Sequence, residues 1–74
     1  MNEELTFGQK QVGFSFNPSG NPEVGIIKEL AAGLIDQLDV ARNTTTDPNK
    51  KRLYSEAITN IETGCMFGVK AATW

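Results

Sequence analysis

The sequence predicts an all-α fold: an antiparallel helical hairpin with a short N-terminal segment, assembling into a compact homo-oligomer. Three observations predict it. Asn21-Pro22 and Asp47-Pro48 each pair a capping side chain with a proline at the first helical position, so a helix begins at each. Apolar residues then recur at three- and four-residue steps after both starts. The resulting stripes are wider than one partner helix covers, and domains below about 70–80 residues usually need a metal, disulfides or oligomerisation. With 74 residues, one cysteine and no histidine, disulfide scaffolds and most metal sites are ruled out, which leaves self-assembly.

The chain reads as a single domain over 1–74, with no internal repeat and no linker. Residues 1–20 form an N-terminal segment and turn. Within it Val12, Phe14 and Phe16 alternate with Gly13 and Ser15, which predicts a short extended stretch docking aromatic side chains onto the helices. Asn17-Pro18-Ser19-Gly20 is dense in turn residues: proline fixes φ, glycine accepts positive φ, and serine bonds nearby backbone.

The first helix is expected over 21–42. Val24, Ile27, Ala31, Leu34, Leu38 and Ala41 make its seam, and Ile26, Leu30 and Ile35 widen that seam onto a flank. Polar residues 43–46 break the pattern, and the second helix follows over 47–71. Its seam is Tyr54, Ile58, Ile61, Cys65, Gly68 and Ala72, with Leu53, Ala57 and Val69 beside it. A connection of about five residues makes the helices antiparallel neighbours. Gly64 and Gly68 each cost roughly 1 kcal/mol relative to alanine inside a helix, so a close neighbour or ligand is expected to offset them.

Bulk composition excludes several functions. A net charge of −2 disfavours a general binder of DNA or RNA, despite the basic run Lys50-Lys51-Arg52. No stretch approaches the roughly 18–20 apolar residues of a membrane span, and the acidic start Met1-Asn2-Glu3-Glu4 is unlike a signal peptide. An enzyme is not expected. The commonest general base near neutral pH is absent, the phosphate-loop spacing is missing, and Cys65 sits on an apolar seam as a structural thiol rather than a nucleophile. No cofactor and no metal are expected.

Binding fits better. Phe14 and Phe16 offer aromatic faces, Asn17 and Ser19 short hydrogen-bonding side chains, and Lys28 a cation one turn inside the first helix. These are the parts that hold a base and its phosphate. The plainer alternative has Lys28 extending to solvent while the phenylalanines fill the core. Thr59 and Thr63 either donate to a phosphate or bond the preceding helical turn, and Lys70 suits the helix dipole without any ligand.

The runs Phe16-Asn17-Pro18-Ser19-Gly20-Asn21-Pro22-Glu23-Val24, Ile27-Lys28-Glu29-Leu30-Ala31-Ala32 and Leu34-Ile35-Asp36 resemble those of small bacteriophage cyclic-oligonucleotide sponges. So do Ala57-Ile58-Thr59-Asn60-Ile61-Glu62-Thr63-Gly64-Cys65-Met66 and Val69-Lys70-Ala71-Ala72-Thr73. These are the anti-CBASS and Thoeris anti-defence proteins that share a helical hairpin domain, and the resemblance spans residues 12–73. It implies a homohexamer in the host bacterial cytoplasm that sequesters cyclic nucleotide immune signals without cleaving them. It further implies a cyclic dinucleotide between two protomers, with Phe14 or Phe16 stacking on a base and Lys28 meeting a phosphate. Where the family often has tyrosine, phenylalanine here lacks a phenol hydrogen bond. A second pocket for cyclic trinucleotides, at a three-fold junction lined by the second helix, assigns Arg52, Thr59 and Lys70. Cyclic ADP-ribose isomers are the ligands of related members. Two rival readings are an oligomeric adaptor that docks another protein through the N-terminal aromatics, and a small nucleic-acid regulator using Lys50-Lys51-Arg52.

Overall fold

The computed structural model describes residues 4–17 and 20–74, and all the regular structure among them is helical. Three helices follow in order: α1 over Phe7–Gln11, α2 over Pro22–Thr44 and α3 over Pro48–Ala72. Helices α2 and α3 form the antiparallel hairpin, and α1 packs on α2.

Both long helices start as their cap residues dictate. The Asn21 side chain accepts from the Glu23 and Val24 amides at 2.8 and 3.3 Å, and Asp47 accepts from Asn49 and Lys50 at 2.8 and 3.4 Å. Each cap satisfies N–H groups that no intrahelical carbonyl reaches. α2 runs to Thr44, two residues past the expected end, and the Lys51 ammonium donates to the Arg42 carbonyl at 3.0 Å. The hairpin is laced at both ends. At one end the Asn21 amide nitrogen donates to the Ala72 carbonyl at 3.3 Å; at the other the Arg42 guanidinium donates to Ser55 Oγ at 3.1 Å.

The N-terminal segment differs from the extended stretch expected over Val12–Phe16. A five-residue helix ends at Gln11, and residues 12–15 turn back on it. Thr6 and Gln9 make a reciprocal capping box, the Thr6 side chain accepting from the Gln9 amide and the Gln9 side chain accepting from the Thr6 amide. Gly13, at φ +64°, supplies the left-handed residue that reverses the chain after α1. Local capping therefore outweighs the apolar alternation. α1 lies so close to α2 that a Cβ on Gly8 would stand 2.9 Å from both the Ala32 carbonyl carbon and an Asp36 carboxylate oxygen.

Docking of α1 also turns the core of α2. Of the expected seam of Val24, Ile27, Ala31, Leu34, Leu38 and Ala41, Val24 is buried, but the most buried line continues through Lys28, Ala32 and Ile35 instead. Ile35 is fully buried, whereas Ile26, Leu30 and Leu34 are exposed, so Ile35 does not share a flank with Ile26 and Leu30. With α1 on the Ala32–Asp36 side and α3 on the Ile27 side, the line between the two becomes the interior. On α3, Ile58 and Cys65 are buried. Gly68 faces Ile27 at ordinary contact distance, but nothing lies within 4 Å of a Cβ placed on Gly64. The close neighbour expected at Gly64 is not found among the described residues.

Candidate functional site

Among the described residues Lys28 is the one buried charged side chain, 6 % exposed, on a line that is otherwise apolar. It does not extend to solvent. Its ammonium donates to the Gly13 carbonyl at 2.8 Å and to the Phe16 carbonyl, and it lies 5.6 Å from the centroid of the Phe16 ring. Two carbonyls and an aromatic face replace the water a buried ammonium gives up. A lysine carries three N–H donors, so the described residues leave one after the two carbonyls are served.

That cation lies on the wall of an open groove of about 450 Å³ between the α1 turn and α3. Lys70 lines the same groove from the last turn of α3, with Cys65, Met66 and Val69 along its floor. Its rim is closed by Gln11, whose side-chain amide donates to a Glu62 carboxylate oxygen at 2.8 Å across the two elements. Burial raises the Cys65 thiol above its ordinary value, opposed by the nearby positive charge of Lys28. The thiol is thereby kept protonated and poorly nucleophilic. The groove thus offers two cations against one carboxylate on a largely apolar lining, which suits a compact anion with apolar rings.

The candidate residues separate in space. Phe16 and Lys28 come together, and Phe16 is 73 % exposed, its ring free to stack. Phe14 is half-buried, its amide donating to the Gln9 carbonyl at 2.9 Å. Asn17 closes its own turn: its amide nitrogen donates to the Asn21 carbonyl at 2.9 Å and its oxygen accepts from the Asn21 amide at 3.1 Å. Ser19 lies outside the described residues. Arg52 and Thr59 share a shallow hollow on the outer side of α3 with Ser55, Glu56 and Asn60. Arg52 is already paired there with Glu56 at 3.0 Å, and Thr59 donates to the Ser55 carbonyl at 3.2 Å. Lys70 does not join them within one chain, because eighteen helical residues separate it from Arg52 by about 27 Å. It stands instead with Lys28 in the groove, and its ammonium also lies 5.8 Å from the Trp74 ring centroid.

Sequence reasoning missed Gln11, Glu62 and Met66 as groove residues. The Thr6-Phe7-Gly8-Gln9 spacing, a capping box, was the signal that would have placed Gln11 on a helix beside α2.

No curated protein and no solved structure matches the chain. A family model does: Acb2/Tad1, hairpin domain, over residues 9–73. That span takes in the end of α1, both long helices and every residue of the groove. The family is that of the phage cyclic-oligonucleotide sponges, whose general role is anti-defence against CBASS and Thoeris. The chain belongs to the Acb2/Tad1 hairpin-domain family.

Proposed function

We propose that this protein sequesters cyclic nucleotide immune signals without cleaving them, in the groove between Lys28 and Lys70. The observation that carries the reading is the buried Lys28 ammonium on the wall of an apolar groove, with one donor left by the described residues and the exposed Phe16 ring 5.6 Å away. A phosphate takes the remaining donor of Lys28 and the charge of Lys70, and a base stacks on Phe16. The ligands are cyclic dinucleotides, with cyclic trinucleotides and cyclic ADP-ribose isomers as further classes. The protein acts as a homohexamer in the cytoplasm of the infected host, and the ligand is completed by a second protomer because the groove is open on one side. Arg52 and Thr59 belong to a separate trinucleotide pocket formed where three copies of α3 meet. The Cys65 thiol on the groove floor is held protonated and the Glu62 carboxylate is engaged by the Gln11 amide, which supports binding without turnover.

The test is calorimetric titration with one member of each ligand class, followed by denaturation and chromatography of the released ligand. One class should bind and return intact. Lys70→Ala should weaken it about 10- to 100-fold, as expected for a lost charge-assisted hydrogen bond. Appearance of a linear product would replace the sponge with a hydrolase, and no binding in any class would leave the adaptor reading.

A further inference from the structure

We propose that Trp74 is a second stacking platform of the same site, taking the base of a cyclic dinucleotide that Phe16 does not. The inference rests on the sponge reading above and adds one residue to the site it names.

Trp74 is the chain's one tryptophan and, at 93 % exposed, the most exposed large apolar side chain among the described residues. An indole carries a wide π-face and a single N–H donor, and full exposure forgoes the burial that usually places it. Its backbone is nonetheless fixed. The Thr73 amide donates to the Val69 carbonyl at 3.0 Å and the Trp74 amide to the Ala71 carbonyl at 3.2 Å. The chain is therefore hydrogen-bonded up to the residue that bears the ring.

Position and charge both tie this ring to the groove. Thr73 lines the groove, and Trp74 follows it on a hollow of about 450 Å³ that shares Lys70 with the groove. Side-chain amides bring Phe16 to the same end of the hairpin. Asn17, its neighbour, bonds Asn21, and the Asn21 amide nitrogen donates to the Ala72 carbonyl at 3.3 Å, two residues from Trp74. The Lys70 ammonium lies 5.8 Å from the Trp74 ring centroid, as the Lys28 ammonium lies 5.6 Å from that of Phe16. Each cation of the groove thus has its own aromatic face.

A cyclic dinucleotide has the matching composition: two phosphates and two bases, each phosphate within one sugar of a base. A base stacked on Trp74 sets a phosphate beside Lys70, and a base on Phe16 sets the other beside Lys28. With Lys70 over one face of the indole, the opposite face is open to the base. Exposed apolar surface alone would suit a protein partner as well. A cation held at each ring favours an anion that carries flat rings of its own. Because every base has a π-face, the two platforms accept purines and pyrimidines alike.

Titration of a cyclic dinucleotide into the wild type, Trp74→Ala and Trp74→Phe tests this, with calorimetry for all three and indole fluorescence for the wild type. In this chain that emission reports Trp74 alone. It should be quenched in step with the binding isotherm. Trp74→Ala should weaken binding about 5- to 150-fold, the loss of one stacked base, and Trp74→Phe should recover most of it. Both variants should fold as the wild type does, because the ring is almost wholly in water. Binding with unchanged emission, or with equal affinity in Trp74→Ala, overturns the platform and leaves the sponge reading standing. A Trp74→Phe protein as weak as Trp74→Ala does the same, as does a wild type that binds other cyclic nucleotides but no dinucleotide. Emission that follows protein concentration and ignores ligand assigns Trp74 to a contact between copies and also overturns the platform. No binding in any class sinks both readings.

Discussion

Replacing Gly8 with alanine should undock α1, and the cost follows from what α1 holds. A Cβ there meets the Ala32 carbonyl, which is helix backbone and cannot move aside as a flexible side chain would. α1 must shift outward, which breaks the 2.7 Å bond from the Gly8 amide to the Asp36 carboxylate. A hydrogen bond to a charged group contributes about 1.5–3 kcal/mol. The Gln11–Glu62 bond and the Phe7 ring over Arg42 at 5.4 Å depend on the same docking and add some tenths to about 1 kcal/mol each. Freed chain entropy and the better helix propensity of alanine offset part of this, leaving a net loss of about 2–3 kcal/mol. At 4–8 °C per kcal/mol for a domain this size, Tm should fall by roughly 10–20 °C. Hydrogen exchange should show protection lost over residues 7–14 while the middles of α2 and α3 keep theirs. The same substitution at Gly25, where the nearest atom to a new Cβ is the Asn17 amide nitrogen at 4.0 Å, should stabilise the chain by about 0.5–1 kcal/mol. A Gly8→Ala protein as stable as the wild type, with residues 7–14 still protected, would refute the close docking of α1.

Three further outcomes are expected. Lys28→Met should lower stability by about 1–3 kcal/mol in urea titration even without ligand, because the Gly13 and Phe16 carbonyls lose their donor; an unchanged midpoint would show that the turn closes without it. Asp47→Ala should cost about 1 kcal/mol through the two amides it caps, with Thr46→Ala as an exposed neighbour that costs little. For Cys65 the folded thiol titrates above its ordinary value of 9.0. Its stabilising contribution is complete below pH 9 and is lost as pH rises through the folded value. Unfolding free energy measured from pH 7 to 10.5 should therefore decline more steeply above pH 9 in the wild type than in Cys65→Ala, and equal slopes would contradict a desolvated thiol.

The parts of the fold written in local chemistry were legible. Asn21-Pro22 and Asp47-Pro48 announce two helix starts because a cap and a fixed φ act within four residues. α1 was written as plainly, in Thr6 and Gln9, but a five-residue helix has no room for an apolar period, and the alternation of Val12, Phe14 and Phe16 suggested strand. The orientation of α2 was not legible, because where its interior lies depends on α1 docking beside Ala32. Lys28 and Phe16 could be paired from their nearness in sequence. Lys70 could not be joined to Lys28, since their meeting depends on which residues of two antiparallel helices lie level. Hydropathy also assigns lysine to solvent, and it has no knowledge of two carbonyls delivered by a turn twelve and fifteen residues upstream.

The way Lys28 is held has a consequence for how tightly the groove can grip. A free lysine side chain gives up as much as about 2 kcal/mol of rotamer entropy when a ligand fixes it. In this chain folding has already fixed it, since the Gly13 and Phe16 carbonyls hold the ammonium before anything arrives. A phosphate meets a donor that needs no further ordering. The same arrangement ties affinity to the integrity of a turn the ligand need not touch. A substitution that loosens residues 13–16 should release the ammonium into many conformations, and binding should weaken with no contact to the ligand removed.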